Sequence, residues 1–128
     1  MAKSVSSQRR DDSITKKSRV WKSQALKALT DSFSVLATTE RTQFAVMVLQ
    51  AGETSGEYGN EHADSDQWLL VLEGNGEVLT EEGKKDVATG DIVLVPAPEK
   101  HRFKCTGSSP LRTVSIYGPP AYDTDEHQ

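Results

Sequence analysis

The sequence predicts an all-β domain of the sandwich or barrel class, and three observations support that prediction. Short apolar runs of strand length recur from residue 33 to residue 117. Turn residues, chiefly Gly, Pro, Asn and Asp, separate these runs. No run with helical spacing lies among them, so strands packed on strands are favoured over alternating strands and helices. The 128 residues suit a single domain, since domains commonly hold about 100–150 residues.

Each predicted strand has its own pattern. Residues 33–37 alternate with a period of two, as in a half-buried strand. The continuous apolar stretches within 44–49 and 67–72 indicate strands that are buried on both faces. A Gly-Asn-Gly turn at 74–76 leads into the next strand, and Pro96 ends a later one because proline donates no ladder hydrogen bond. Seven strands are predicted in this way, with room for an eighth, at residues 33–37, 44–49, 67–72, 77–80, 92–95, 101–105 and 111–117.

The segments that flank the predicted strands differ from them in composition. Residues 1–31 form a basic arm with eight Lys/Arg and three Asp/Glu, whereas the remainder of the chain holds seven and sixteen. The arm is polar and is predicted to be largely disordered, with a possible short helix over 21–29 from the spacing of its apolar residues. We therefore divide the chain into the arm, a β domain over 32–122 and an acidic tail over 123–128.

Composition excludes several classes of protein. No stretch approaches the roughly 20 apolar residues that a membrane-spanning helix needs. The first residues lack the apolar core of a secretory signal, so we expect a cytoplasmic protein without a membrane partner. The single cysteine, Cys105, excludes an intramolecular disulfide and a cysteine-cluster zinc site. The basic arm has no aromatic residue besides Trp21 and no recognition module follows it, so a nucleic-acid partner is not expected.

Two histidines adjoin predicted strands and are the first candidates for chemistry. His62 precedes the strand that begins at Gln67, and His101 follows the strand that Pro96 ends. Both rings converge on one interior site if these strands pair in a small barrel, and Gln67 joins them if it points inward. Two imidazoles and an amide oxygen can hold a divalent metal ion. The competing interpretation is that these are ordinary surface or core histidines.

The spacing around these residues resembles the two motifs of the cupin superfamily. In the first motif a His-x-His pair precedes a glutamate and then a glycine; here His62 is followed by four residues, Gln67, six residues and Gly74. In the second motif a glycine precedes a Pro-x-Gly and a histidine; here Gly90 is followed by five residues, Pro96-Ala97-Pro98, two residues and His101. The resemblance implies a double-stranded β-helix, or jelly-roll, barrel.

The resemblance extends to small single-domain bacterial cupins and covers roughly residues 33–122. Those proteins have Asp-Gln at the acidic ligand position, as in Asp66-Gln67, and an ending of the type Tyr-x-Pro-Pro, as in residues 117–120. It implies one divalent metal ion, with zinc, manganese, iron and nickel all open. The implied ligands stand at the motif positions, which are His62, Gln67, His101 and Asn60. Glu61 is an alternative ligand and a possible general base.

Other side chains are assigned to faces of the barrel by their alternation. Phe103 and Cys105 share the parity of His101 and are expected to line the pocket, although Cys105 also suits the role of a small buried hydrophobe. Trp68 alternates with Gln67 and is expected on the outer face, in the seam of a homodimer. The same outer position is expected for Tyr117, Tyr122 and Pro120.

Three functions remain open at this point. The first is a metal-dependent enzyme acting on a small oxygenated molecule, in which the metal serves as a Lewis acid or binds dioxygen. The second is a non-catalytic module that binds or senses a small molecule without a tightly held metal. The third is a structural dimer with a degenerate site. The sequence does not decide whether the protein is an enzyme, because one fold supports many functions.

Overall fold

The computed structural model describes residues 30–59 and 63–123, and these residues form an all-β fold. The predicted arm with its helix over 21–29, the ligand candidates at 60–62 and the tail after Asp123 lie outside the described residues. Within the described ranges no helix is long and apolar enough to cross a bilayer. Eight strands are described: β1 (Phe33–Thr38), β2 (Gln43–Leu49), β3 (Asp66–Glu73), β4 (Asn75–Thr80), β5 (Gly83–Ala88), β6 (Ile92–Val95), β7 (Arg102–Cys105) and β8 (Leu111–Gly118).

The strands form two antiparallel sheets that enclose the core between them. The larger sheet has the order β1-β2-β8-β3-β6, and the smaller has the order β5-β4-β7. Apart from the β1–β2 pair, neighbours in the larger sheet are distant in sequence, as in a jelly roll rather than a meander. The all-β jelly-roll prediction is therefore confirmed. The division of the chain at residues 31 and 122 stays a prediction.

The core is built from apolar residues that face inward from both sheets. Leu69 in β3 and Phe103 in β7 are 0% and 1% exposed, so each contributes about 1.5–3 kcal/mol of hydrophobic stabilisation. The main cluster draws on both sheets and contains Leu49, Leu69, Val71, Val78, Val87, Val95, Phe103, Cys105 and Leu111. This packing fixes the register of the strands that carry the candidate site.

β5 was not among the seven strands predicted individually. It reads Gly-Lys-Lys-Asp-Val-Ala, and only Val87 in it is buried. Its charged residues face solvent, so the strand shows no apolar run. It forms because β4 offers a long register for pairing, from Asn75 opposite Ala88 to Thr80 opposite Gly83.

The outer face of the larger sheet is also apolar. Val46, Val48 and Val114 form a second buried cluster there. Further along the same face, four apolar side chains are exposed, and we call them the outer apolar patch: Trp68, Ile92, Leu94 and Ile116. Trp68 lies opposite Leu94 on one side and opposite Ile116 on the other, so the patch is continuous across β8, β3 and β6.

Candidate functional site

Gln67 is a buried polar residue of β3 that faces the barrel interior. It pairs with Tyr117 of β8 and Val95 of β6, and its side chain faces the interior with 3% exposure. Its Nε2 donates a hydrogen bond to Ser115 Oγ at 3.0 Å. Its Oε1 is buried and has no hydrogen-bond partner among the described residues. A buried amide atom without a partner costs about 1–3 kcal/mol, so Oε1 calls for a partner that the described residues do not supply.

His101 is held at the start of β7 by backbone and side-chain hydrogen bonds. It forms an isolated antiparallel bridge with Gly59, in which His101 N donates to Gly59 O at 2.9 Å. Its Nδ1 lies 3.3 Å from Glu99 O. A hydrogen bond to this carbonyl requires the proton on Nδ1, because a carbonyl can only accept. The ring also meets Phe103 edge-on, with centroids 5.7 Å apart.

Gln67 and His101 line the same cavity, which measures about 60 Å³. Since one water needs about 10–15 Å³, there is room for an ion with a few waters or for a small organic group. The remaining wall is mostly aromatic and apolar, with two further polar side chains. These lining residues are Phe33, Met47, Ser55, Glu57, Phe103, Tyr117 and Tyr122.

The two residues assigned to the pocket by alternation occupy different places. Phe103 lies in the cavity wall, beside His101. Cys105 has 0% exposure within the main core cluster and is not among the residues that line this cavity. Its Sγ lies 3.3 Å from Ser109 O. It therefore sits in the core as a small buried hydrophobe.

The expectation of an outer position was wrong for Tyr117 and Tyr122. Tyr117 is 3% exposed and lines the cavity, because its parity in β8 matches that of the inward-facing Thr113 and Ser115. Tyr122 lies beyond the strand, where alternation no longer determines direction, and it also lines the cavity. Pro120 is half-buried, whereas Trp68 does face outward with 46% exposure.

The segment before residue 60 supplies site residues that sequence reasoning missed. Ser55 N donates to Phe103 O at 2.8 Å, and Ser55 Oγ accepts from Phe103 N at 2.9 Å. This pairing lays the segment against β7 and brings Glu57 into the cavity lining. No periodic signal could have shown it, because the segment is a Gly-containing loop rather than a regular strand.

Carboxylates lie near the site, but cationic side chains are not among its described lining residues. Glu57 is exposed, at the opening of the cavity. Partial desolvation and the nearby carboxylates Glu81 and Glu99 raise the pKa of Tyr58 above its ordinary value. Tyr58 therefore stays protonated at neutral pH, which makes it a poor general base.

The cavity offers an imidazole nitrogen and an amide oxygen, which are donor types that metal ions accept. In the described ranges, no three His, Cys, Asp or Glu side chains group closely enough to hold one. Gln67 nevertheless lines the same cavity as His101, and its Oε1 has no hydrogen-bond partner among the described residues. An imidazole nitrogen and an amide oxygen are both acceptable ligands for a first-row divalent ion. The other predicted ligands, Asn60 and His62, and the alternative Glu61 lie outside the described residues.

Comparisons with known proteins agree with this architecture. Residues 45–117, more than half of the chain, match the family described as Cupin domain. The uncharacterized protein YrkC of Bacillus subtilis (strain 168) is 32% identical over 93 residues, which cover 68% of this chain and 49% of that protein. The chain spans about half the length of the curated relatives it matches.

Solved structures show the same fold. BH2720 from Bacillus halodurans is 31% identical, with a TM-score of 0.69 and coverage of 77% of each chain. KdgF from Halomonas sp. is 21% identical, with a TM-score of 0.64, and the match covers 72% of this chain and 81% of that one. At this lower identity the likeness concerns the fold alone. Together, the family match, the YrkC relationship and the shared jelly roll show that this chain belongs to the cupin superfamily.

Proposed function

We propose that the protein binds one divalent metal ion together with a small organic ligand in the barrel interior. The unpartnered Gln67 Oε1 is the observation that carries this proposal. A metal ion or a hydrogen-bond donor on a ligand would offset the desolvation of that oxygen. His101 supports the proposal, because a hydrogen bond from Nδ1 to the Glu99 carbonyl would orient its ring and present Nε2 as the metal-binding nitrogen.

The described residues would hold the metal through His101 Nε2 and Gln67 Oε1. Asn60 and His62 complete the proposed set by their place in the sequence motif, with Glu61 as the alternative ligand. A bound metal would supply Lewis acidity toward an oxygen atom of the ligand. Glu57, at the cavity opening, is the described carboxylate best placed to exchange a proton with such a ligand.

Metal content tests the proposal. The full chain is analysed for bound metal after incubation with zinc, manganese, iron or nickel, beside the double variant His62→Ala, His101→Ala. We expect about one equivalent in the wild type and none in the variant, with both proteins equally folded by circular dichroism. No metal in either protein would contradict the metal part of the proposal.

A second candidate function is a binding or sensing module that works without metal. Gln67 favours it, because a neutral amide is a weaker metal ligand than a carboxylate but an equally good partner for an organic N–H or O–H group. In that case the unpartnered Oε1 accepts a hydrogen bond from the ligand directly. Ligand binding that is unchanged by a chelator would distinguish this module from the metal-dependent protein.

Assembly and location are part of the proposal. A homodimer formed through the outer apolar patch would cover four side chains that are 43–62% exposed in one copy. We place the protein in the cytoplasm, where its single buried thiol, Cys105, would stay reduced. Whether the bound ligand is turned over would follow from product analysis once metal or ligand binding is established.

A further inference from the structure

The segment that follows β8 is held against the barrel by one buried glutamine. Gln43 is 1% exposed, and its Oε1 accepts hydrogen bonds from Ala121 N at 3.0 Å and Tyr122 N at 2.8 Å. Its Nε2 donates to Tyr122 O at 2.8 Å and to Thr38 Oγ1 at 3.0 Å. The backbone partners fix which end of the amide is which, because an N–H only donates and a carbonyl only accepts.

This segment, residues 119–122, is called the strap. Its other end is held by Ser65, whose hydroxyl donates to Pro119 O at 2.7 Å. The amide of Gln43 donates both of its hydrogens and accepts two hydrogen bonds, so its hydrogen-bonding capacity is fully used. We call this set of hydrogen bonds the Gln43 clasp. Tyr122 is thereby fixed at both its backbone N–H and its carbonyl, which gives its ring a defined position.

The strap places Tyr122 in the wall of the cavity. Its ring centroid lies 4.9 Å from that of Phe33 and 5.4 Å from that of Tyr117, and all three residues line the cavity. These separations are those of favourable tilted and edge-to-face aromatic pairs. We call these three rings the aromatic wall. The strap thus contributes one of the three rings of this wall, although it lies outside every strand.

The polar residues of the cavity and the aromatic wall offer different kinds of contact to a ligand. Gln67 offers an unpartnered acceptor, while the aromatic wall offers apolar ring surface. Glu57 carries the one formal charge among the described lining residues if His101 is neutral, and that charge is negative. Without a bound metal ion, an anionic group would meet a carboxylate and no described cation, which is unfavourable in a partly dehydrated site.

From these contacts we propose that the strap forms a ligand subsite, which selects an uncharged small molecule with a hydrogen-bond donor and a short apolar end. The donor, or a metal-bound polar group, meets Gln67, and the apolar end packs against the aromatic wall. This inference rests on the ligand-binding part of the proposed function but not on the metal. Tyr122 is the specificity-determining residue, and Gln43 is its positioning residue.

Three small probes test this subsite in the full-length protein as purified. Butyramide has the donor and the apolar end, acetamide lacks two methylenes, and butyrate has the chain with a negative charge. Chemical-shift titration by NMR gives the affinity of each. Each buried methylene is worth roughly fourfold, so butyramide should bind about fifteen-fold tighter than acetamide. In protein treated with a chelator, it should also bind at least severalfold tighter than butyrate, since a bound divalent ion would attract the carboxylate.

Variants assign that selectivity to the strap. Tyr122→Ala should reduce the preference for butyramide over acetamide to about twofold or less, whereas Tyr122→Phe should keep it. Tyr58→Ala removes a tyrosine that is 36% exposed and is not among the lining residues, and it should leave the preference unchanged. Gln43→Met keeps the length of the side chain but releases the strap, so it should match Tyr122→Ala.

The outcomes separate this inference from the metal proposal. Equal affinity for butyramide and acetamide in the wild type would overturn the subsite, and so would an unchanged preference in Tyr122→Ala. Metal content is measured on the same samples and should be unaffected by either strap variant. A protein without metal that keeps the fifteen-fold preference would refute the metal proposal and retain the subsite. A protein that binds metal but shows no preference for butyramide over acetamide would refute the subsite and retain the metal proposal.

Discussion

Gln67 is a neutral side chain at a position where the cupin motif has an acid, and its surroundings explain how it is used. Its Nε2 bonds Ser115 Oγ, and its Oε1 is left buried without a partner. A carboxylate here would carry a charge into a cavity whose described lining residues include no cation. The amide avoids that cost but leaves one desolvated oxygen, so the folded protein is less stable than it could be at this residue.

Gln67→Leu therefore should separate stability from binding. The substitution removes an unpaired buried oxygen and keeps similar volume, so we expect the free energy of unfolding in urea to stay within about 1 kcal/mol of wild type or to rise. Affinity for zinc, measured by calorimetric titration, should fall at least about tenfold, because one of the two proposed ligands among the described residues is lost.

Gln43→Leu is the matched control for this prediction. It makes the same replacement at a buried amide whose hydrogen bonds are all made, so the free energy of unfolding should fall by at least about 2 kcal/mol. Equal destabilisation by the two leucine variants would mean that Gln67 Oε1 has a partner in solution and is not poised for an occupant.

Residue-level prediction from sequence succeeded for Phe103, whose inward direction followed from alternation, and for the outward direction of Trp68. It failed for Tyr117, which was expected outside although its parity in β8 points it inward. Tyr122 and Glu57 also line the cavity, yet they lie in irregular segments positioned by single contacts, the Gln43 clasp and the pairing of Ser55 with Phe103. Such contacts join residues up to 79 positions apart, which no local pattern can indicate.

At the scale of elements, the turn between β3 and β4 shows how closely this barrel is packed. Gly74 has a φ of +103°, and a Cβ there would lie 2.5 Å from Pro110 O and 3.0 Å from Leu111 Cα. Both the backbone conformation and the space therefore require glycine. The turn connects the strand that carries Gln67 to the smaller sheet, so its geometry sets how the two sheets meet.

Gly74→Ala should destabilise the protein more than Gly83→Ala does. Gly83 has a similar φ of +114°, but a Cβ at that position would meet no atom within 4 Å. The Gly83→Ala variant therefore shows the cost of the backbone conformation alone, about 1–3 kcal/mol. Gly74→Ala adds a clash with backbone atoms, which costs a further ~1–3 kcal/mol. Urea unfolding of the two variants measures the difference, and equal losses would refute the close approach of β8.

Element-level prediction was strong for strands with an apolar signature and weak for β5. Both strands with continuous apolar runs are present, as β2 and β3. Burial on both faces was wrong for β3, because Trp68 is exposed and Leu70 is half-buried on its outer face. β5 has four exposed residues in a row, and its existence depends on pairing with β4 rather than on its own composition. Its residues resemble those of a turn, which is how the sequence around Gly83 reads.

At the scale of the whole molecule, the outer apolar patch is the surface that a single copy leaves exposed. Ile92 is 62% exposed and lies in β6, the edge strand of the larger sheet. Edge strands with exposed apolar side chains tend to pair with another chain. The family membership explains the fold, but the oligomeric state has to be measured.

Ile92→Lys should dissociate the proposed homodimer. Burying isoleucine is worth about 1.5–3 kcal/mol and the dimer would contain two copies, so its dissociation constant should rise at least about hundredfold. Sedimentation velocity across a concentration series measures this, with Ile92→Val as the control that keeps an apolar side chain. A wild type that sediments as a monomer at high micromolar concentration would rule the dimer out.

The central claim is that the interior cavity shared by Gln67 and His101 is the binding site. NMR of the isotopically labelled full-length chain tests it most directly, by following the Gln67 side-chain amide and the His101 ring nitrogens during a zinc titration. We expect both sets of signals to shift together and to saturate at one equivalent, with the largest ring shift at Nε2. Zinc that binds while both sets stay unchanged, or zinc that does not bind at all, would contradict the claim.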